Sequence, residues 1–289
     1  MNVPPAGSFF RMNYRHAFHA GNFADVFKHA LLLALLDALA AKDKPLCYLD
    51  THAGAGKYAL DETHALKTGE WREGVGRLFS SPQVPQSLQR YVGTIRVFNP
   101  GGELRVYPGS PLLAANALRA SDRLVLCELQ PDEAKTLRAL FRNDARAHVH
   151  ARDGYAALKG LLPPVERRGL VLIDPPFEQQ AQEFRAIETA LKEAHARWPT
   201  GVYAVWYPIK RRATIRPFER WLAGRGWRGV SIAELLVRAD DSPLRLNGCG
   251  MAIVNAPWQI DAAFASILSA LQPVLAQEKG ATYTLRTLT

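Results

Sequence analysis

The 289-residue sequence predicts an α/β protein with a Rossmann-like, largely parallel sheet. Three observations carry that prediction. Short apolar runs alternate with helix-length segments, several of those runs end in an acidic residue, and the first leads straight into the glycine-rich turn Thr51-His52-Ala53-Gly54-Ala55-Gly56. Strands separated by helices require crossover connections, which are right-handed and cover both faces of a parallel sheet.

Residues 1–11 contain two prolines and a glycine without periodicity and read as a loose tail. From Asn22 onward Phe23, Val26, Phe27, Ala30, Leu31, Ala34 and Leu35 recur at helical spacing, until Lys42-Asp43-Lys44-Pro45 stops the run. A strand follows at 46–50, and further strands are expected at 123–128, 147–151, 169–174 and 201–206, with helices at 132–142 and 182–197 between the later ones. Two last strands at 230–237 and 250–255 precede an amphipathic helix at 261–276. In a plain βαβ unit the acid ending the second strand lies about 20 residues past the glycine turn. Glu128 lies far beyond that distance from Gly54. The polar stretch 57–107, with a helical piece at 85–98, is therefore read as an inserted helical subdomain in a main domain made of 12–56 and 108–289.

Lys plus Arg number 36 against 27 Asp plus Glu, a net charge of +9 that favours a polyanionic partner or an anionic membrane surface over a neutral one. Seven of the basic residues fall between Lys210 and Arg228, against the single acid Glu219, and this segment is expected on the same rim as the site described next. Cys47, Cys127 and Cys249 sit far apart in apolar runs and read as core residues of a protein in a reducing compartment. No Cys or His spacing suggests a metal site. The longest apolar run is too short to span a bilayer and no leader precedes it, so a cytoplasmic protein without membrane partners is expected. With no heptad or other interface signal, it should be a monomer.

The chemistry-bearing residues cluster at predicted strand ends. The glycine turn is neither a nucleotide-triphosphate loop, since Thr51 and Tyr58 stand where glycine and Ser or Thr are needed, nor a G-x-G-x-x-G dinucleotide turn. Glu128 reads either as a solvated strand-end carboxylate or as an acceptor for two ribose hydroxyls, and Asp153 as a helix N-cap or, with Gly154, as a contact for an adenine edge. Ile173-Asp174-Pro175-Pro176-Phe177 is the most specific feature. Neither proline donates a hydrogen bond and Pro175 forces Asp174 into an extended conformation, so the strand ends in a rigid elbow. The Asp174 carboxylate and the Pro175 carbonyl are then adjacent acceptors, which suits an exocyclic amine, with the Phe177 ring placed to stack on its base.

Asp-Pro-Pro-aromatic after the fourth strand of such a sheet resembles the S-adenosylmethionine-dependent amino-methyltransferases, which act on adenine or on glutamine side chains. More closely, the segments 13–29 (NYRHAFHAGNFADVFKH), 48–56 (YLDTHAGAG), 107–111 (YPGSP) and 168–178 (RGLVLIDPPFE) resemble the bacterial 23S ribosomal RNA adenine-N6 methyltransferases of the RlmJ type, in the right order and over nearly the whole chain from Met12. The resemblance implies a class I methyltransferase sheet with an inserted subdomain, S-adenosyl-L-methionine as cofactor with S-adenosyl-L-homocysteine as product, and 23S rRNA as substrate. Matched motif by motif, His29, His52 and Ser110 border the methionine portion, Glu128 holds the ribose and Asp153-Gly154 the adenine. Asp174, Pro175 and Phe177 form the catalytic elbow, and Tyr14, His16 and Lys28 face the target RNA. Phe177 stands where the family usually has tyrosine, so a ring remains for stacking but no hydroxyl.

Overall fold

The computed structural model describes residues 18–240, 242–243 and 246–288. The tail at 1–11, with Tyr14 and His16, lies outside the described residues.

The chain opens with helix α1 (Phe23–Ala40), capped by Asn22, whose side chain accepts from the amides of Ala24 and Asp25. It is buried on nearly every side because it lies between the sheet and other helices. Strand β1 (Cys47–Asp50) ends in the glycine turn. There follow β2 (Lys57–Ala59), helix α2 (Thr63–Thr68), a 3-10 turn (Glu70–Glu73), α3 (Val75–Phe79), α4 (Gln86–Val97) and β3 (Val106–Pro108). β2 and β3 pair antiparallel and join the two ends of this excursion. Its apolar side chains, among them Val75, Leu78, Leu88, Tyr91 and Ile95, belong to the same cluster as α1, so the excursion thickens one side of the common core.

The main fold resumes with α5 (Ser110–Ala117), β4 (Arg123–Glu128), α6 (Pro131–Leu140), β5 (Ala147–Ala151), α7 (Gly154–Leu161), β6 (Gly169–Ile173), α8 (Gln180–Arg197) and β7 (Val202–Ile209). It closes with α9 (Arg212–Ala223), β8 (Val230–Leu236), β9 (Gly248–Val254), α10 (Ile260–Leu275) and β10 (Thr282–Leu288). Eight strands form one sheet in the order β10-β8-β9-β7-β6-β1-β4-β5. β5, β4, β1, β6 and β7 run parallel, while β9 is antiparallel to β7, β8 to β9 and β10 to β8. This is the Rossmann-like arrangement predicted, and β1, β6 and β9 are buried along their whole length because helices cover both faces. One face packs on α1, α4, α5 and α10, the other on α8 and α9.

Two parts of the sheet go beyond the sequence reading. β7 continues through Tyr207 and Pro208 to Ile209, and β10 adds an edge strand whose residues are exposed or half-buried. The chain leaves β1 toward β4 on one side and returns to β6 on the other. That switch point opens a crevice at the carboxyl ends of the strands, where open α/β sheets bind ligands. Among the described residues, no helix is long and apolar enough to cross a membrane. The three cysteines are buried and free, and burial pushes the Cys47 and Cys127 thiols up to about 12, as suits core residues.

Candidate active site

A cavity of about 1060 Å³ occupies this crevice. Its lining brings together His29, His52, Gly54, Ser110, Glu128, Asp153, Gly154, Asp174, Pro175, Phe177 and Lys28, which the sequence spreads over 150 positions.

Backbone amides organise the carboxylates. Glu128 accepts from Gly54 N at 2.8 Å and from Gln130 N at 2.7 Å, one amide on each oxygen. Burial is the largest influence on Glu128 and raises its pKa despite these two donors. Asp153 caps α7, accepting from Tyr155 N at 2.8 Å and Ala156 N at 3.2 Å through Oδ1 alone. The N-cap reading of Asp153 therefore holds, and its other oxygen takes no part in the cap. Gly154 is required where it stands: a Cβ there would come within 2.0 Å of the Thr51 carbonyl oxygen, so the glycine lets the start of α7 press against the turn after β1.

His52 follows in that turn, with Nδ1 2.8 Å from Thr51 Oγ1 and its ring meeting Tyr155 edge-on at 4.9 Å. Burial lowers its pKa to about 4, against the pull of Asp174 and Asp153, so the imidazole is neutral at neutral pH. Ser110 donates to Asp50 Oδ2 at 2.6 Å, Tyr48 OH donates to the same oxygen at 2.7 Å, and His52 N donates to Oδ1 at 3.1 Å. Asp50 is fully buried, and that burial raises its pKa. His29 is fixed from the inserted segment, its Nδ1 lying 2.7 Å from Tyr107 OH, which in turn lies 3.1 Å from Tyr91 OH.

The elbow after β6 is held by α1. Lys28 Nζ lies 2.5 Å from Asp174 Oδ2 and 2.9 Å from Asp25 Oδ1, with only 4% of the residue exposed. Burial, the largest single influence, lowers the Lys28 pKa, but the two carboxylates together outweigh it and hold the ammonium well above its ordinary value. Lys28, which the resemblance sets toward the target RNA, lines the cavity at the elbow. At one helical turn from Asp25 on an enclosed helix it can only point inward, and it meets Asp174 there. Phe177 adopts a positive φ of 50°, and its ring is pinned edge-on against Phe184 at 5.3 Å and Trp206 at 5.7 Å. It lines the cavity with 4% of its surface exposed, so it is a fixed wall rather than a projecting platform.

The basic segment 210–228 also departs from expectation. Only its start shares the rim of the elbow: Lys210 lines the cavity, whereas α9 runs back along the sheet face and delivers Arg225 and Arg228 to the end where β8 begins. The register, which sets Ser231 and Ala204 both opposite Ile253, places that end at the amino side of β7. A crossover helix must return to the opposite rim before the next parallel strand, and this accounts for the displacement.

Asp50, Asp25, Tyr107 and Trp206 complete the site and were not singled out in the sequence. Two of them left a trace there: Asp50 is the last residue of an apolar strand, and Asp25 stands three residues before Lys28 on a predicted helix. No group of three or more His, Cys, Asp or Glu among the described residues is arranged to hold a metal ion.

Comparison with known proteins bears directly on this geometry. The chain is 43% identical over 257 residues to the Ribosomal RNA large subunit methyltransferase J of Escherichia coli K12, covering 89% of this chain and 91% of the relative. The protein of the same name from Haemophilus influenzae is 41% identical over 279 residues, covering 96% and 99%. The crystal structure of protein LPL1258 from Legionella pneumophila superposes with a TM-score of 0.85 at 37% identity, covering 94% of this chain and 99% of that one. The family model described as "Ribosomal RNA large subunit methyltransferase D, RlmJ" matches residues 43–287, from the approach to β1 through nearly all of β10, and the chain belongs to that family.

Proposed function

We propose that the protein transfers the methyl group of S-adenosylmethionine to the exocyclic N6 of one adenine in 23S rRNA. The observation that carries this reading is the Asp174-Pro175-Pro176-Phe177 elbow, which opens into the same cavity as Glu128 and Asp153. An amine-orienting pair of acceptors and a nucleoside-shaped set of strand-end carboxylates thus share one space.

The residues present fit the cofactor. Glu128, aligned by two amides, retains lone pairs for the ribose hydroxyls, and the Asp153 oxygen not used in the cap, with Gly154, suits an adenine edge. Neutral His52, Ser110 and His29 would border the methionine end, where an uncharged imidazole does not repel a sulfonium. When bound, S-adenosylmethionine supplies an electrophilic methyl group.

The protein's own task is to aim a poor nucleophile. The N6 lone pair is delocalised into the purine, and hydrogen bonds from both N–H groups to Asp174 and the Pro175 carbonyl would draw the nitrogen toward tetrahedral geometry. Lys28 fixes Asp174 through Oδ2, leaving Oδ1 for the amine. A base must leave its stack to enter the cavity, and Phe177 and Trp206 line it with aromatic surface. Mass spectrometry of 23S rRNA from cells lacking the gene tests this reading, with the loss of one methyl from one adenine as the expected result. Side-by-side assays with duplex DNA and a glutamine-bearing protein substrate give transfer to rRNA alone if the reading is right.

A further inference from the structure

The basic segment 210–228 continues well beyond the site. α9 leaves the cavity rim beside Lys210 and spans about 18 Å over its 12 residues. Ile215, Phe218 and Leu222 bury one stripe of it, while Arg216 and Arg220 are exposed on the other side and Arg211 is exposed at the N-cap. Arg212 is spent internally on Glu234 and Asp240. Arg211, Arg216 and Arg220, like Arg225 and Arg228 beyond the helix, form no close ion pair among the described residues, although burial raises the Glu188 pKa and Arg225 lies near enough to pull against that rise.

The track leads to tryptophans. The Arg225 guanidinium lies 5.2 Å from the Trp221 ring centroid. Trp227 stacks on His195 at 4.4 Å and crosses Trp221 at 88°. The Gly229 carbonyl accepts from the amide of Ala256, which brings the β9–α10 loop alongside, and two residues on stands Trp258, 88% exposed. Packing of this chain gives no reason for so exposed an indole beside this basic loop.

We propose that this strip is a second RNA-binding surface, in which phosphates of a single-stranded or looped rRNA segment follow Arg216, Arg220, Arg225 and Arg228, and a base stacks on Trp258. The inference rests on the rRNA substrate argued above and adds where a distant part of that RNA sits. A positive track with aromatic faces at its end is the chemistry by which single strands are held without sequence preference, and guanidinium groups over indoles add to it. Five exposed arginines without a close ion pair select a polyanion over an apolar partner. β7, with its 8 residues at about 3.3 Å each, separates this surface from the cavity by about 26 Å, so only RNA extending well past the target base reaches both.

The test uses the full chain, its Trp258→Ala/Arg225→Ala/Arg228→Ala variant and two RNAs: a domain-length 23S transcript, and a short hairpin bearing the adenine located by mass spectrometry. The variant should bind the long transcript about tenfold more weakly, with a salt dependence shallower by about one to two phosphate contacts, while hairpin methylation stays at the wild-type rate. Unchanged affinity and salt slope on the long transcript overturn the proposal, as does an equal loss on the hairpin. A wild-type dimer that the variant converts to monomer assigns the strip to a second copy of the chain and overturns it too. If the wild type binds the long transcript through these residues yet methylates neither RNA, the adenine-N6 reading fails and this surface stands.

Discussion

The two rims of the sheet solve opposite problems with opposite charges. At the carboxyl rim β4, β5, β6 and β7 run toward the start of a helix, where amides lack intrahelical acceptors; at the amino rim β1, β4, β5, β6, β7 and β8 follow the end of a helix, where carbonyls lack donors. Carboxylates gather amides at the carboxyl rim, both from helix starts and from the turn after β1: Glu128 takes Gly54 N and Gln130 N, Asp153 takes Tyr155 N and Ala156 N, and Asp50 takes His52 N. Arginines serve carbonyls at the amino rim: Arg146 donates to the carbonyls of Ala115 and Leu118 at the end of α5, and Arg119 to those of Lys42 and Lys44 after α1. The acids that stabilise the loops also furnish the acceptors of the site. The proposed chemistry would thus exploit groups that the fold already needs at that rim.

The largest expected difference between the rims is catalytic. In the proposed mechanism Asp174→Ala removes the acceptor for the amine while leaving Lys28 buried beside Asp25, and on that reading kcat/KM for rRNA methylation should fall by about 10³ or more in a single-turnover assay. Lys28→Met comes next. It leaves Asp25 and Asp174 facing each other without a cation, and loss of one partner from a buried charge group costs about 3–5 kcal/mol in urea unfolding.

His52 gives the carboxyl rim a pH signature. Its folded pKa of about 4 lies below its ordinary value of 6.5, so between these values the unfolded chain binds a proton that the folded chain refuses. The stabilising contribution is complete above pH 6.5 and is lost as pH falls toward 4. Its partial exposure limits the effect to roughly 2 kcal/mol or less. The wild type should therefore lose more stability than His52→Gln between pH 7 and 4.5 in paired denaturant titrations, and equal losses would remove His52 from the account.

The sequence exposes the carboxyl rim far better than the amino rim. Glu128, Asp153 and Asp174 each close an apolar strand or stand just past it, so strand periodicity alone sets them on one edge. What Lys28 does could not be read that way, because its partner is 146 positions distant and its inward direction depends on how many helices cover α1. β10 escaped for a related reason: Thr282, Thr284 and Thr287 line an edge strand with little burial, and its pairing with β8 is a tertiary choice. The segment 210–228 was legible as basic but not as a connection between rims, since charge does not reveal where a crossover helix ends. Phe177 was legible as an aromatic at the elbow, while its confinement by Phe184 and Trp206 joins three elements that the chain separates.

The smallest expected effect separates two kinds of arginine at the amino rim. Arg146 is half-buried, and besides Asp144 it serves the carbonyls of Ala115, Leu118 and Arg119, so Arg146→Met should cost about 1–2 kcal/mol by leaving helix-end acceptors unmet. Arg225 is exposed and serves no carbonyl, so Arg225→Met should change stability by less than about 0.5 kcal/mol. Thermal unfolding of the two variants in one buffer makes the comparison. Equal losses would mean that Arg225 is a loop clamp like Arg146 and that the rim's charge is all structural. A loss confined to Arg146→Met leaves Arg225 without a structural role, as a surface kept for binding requires.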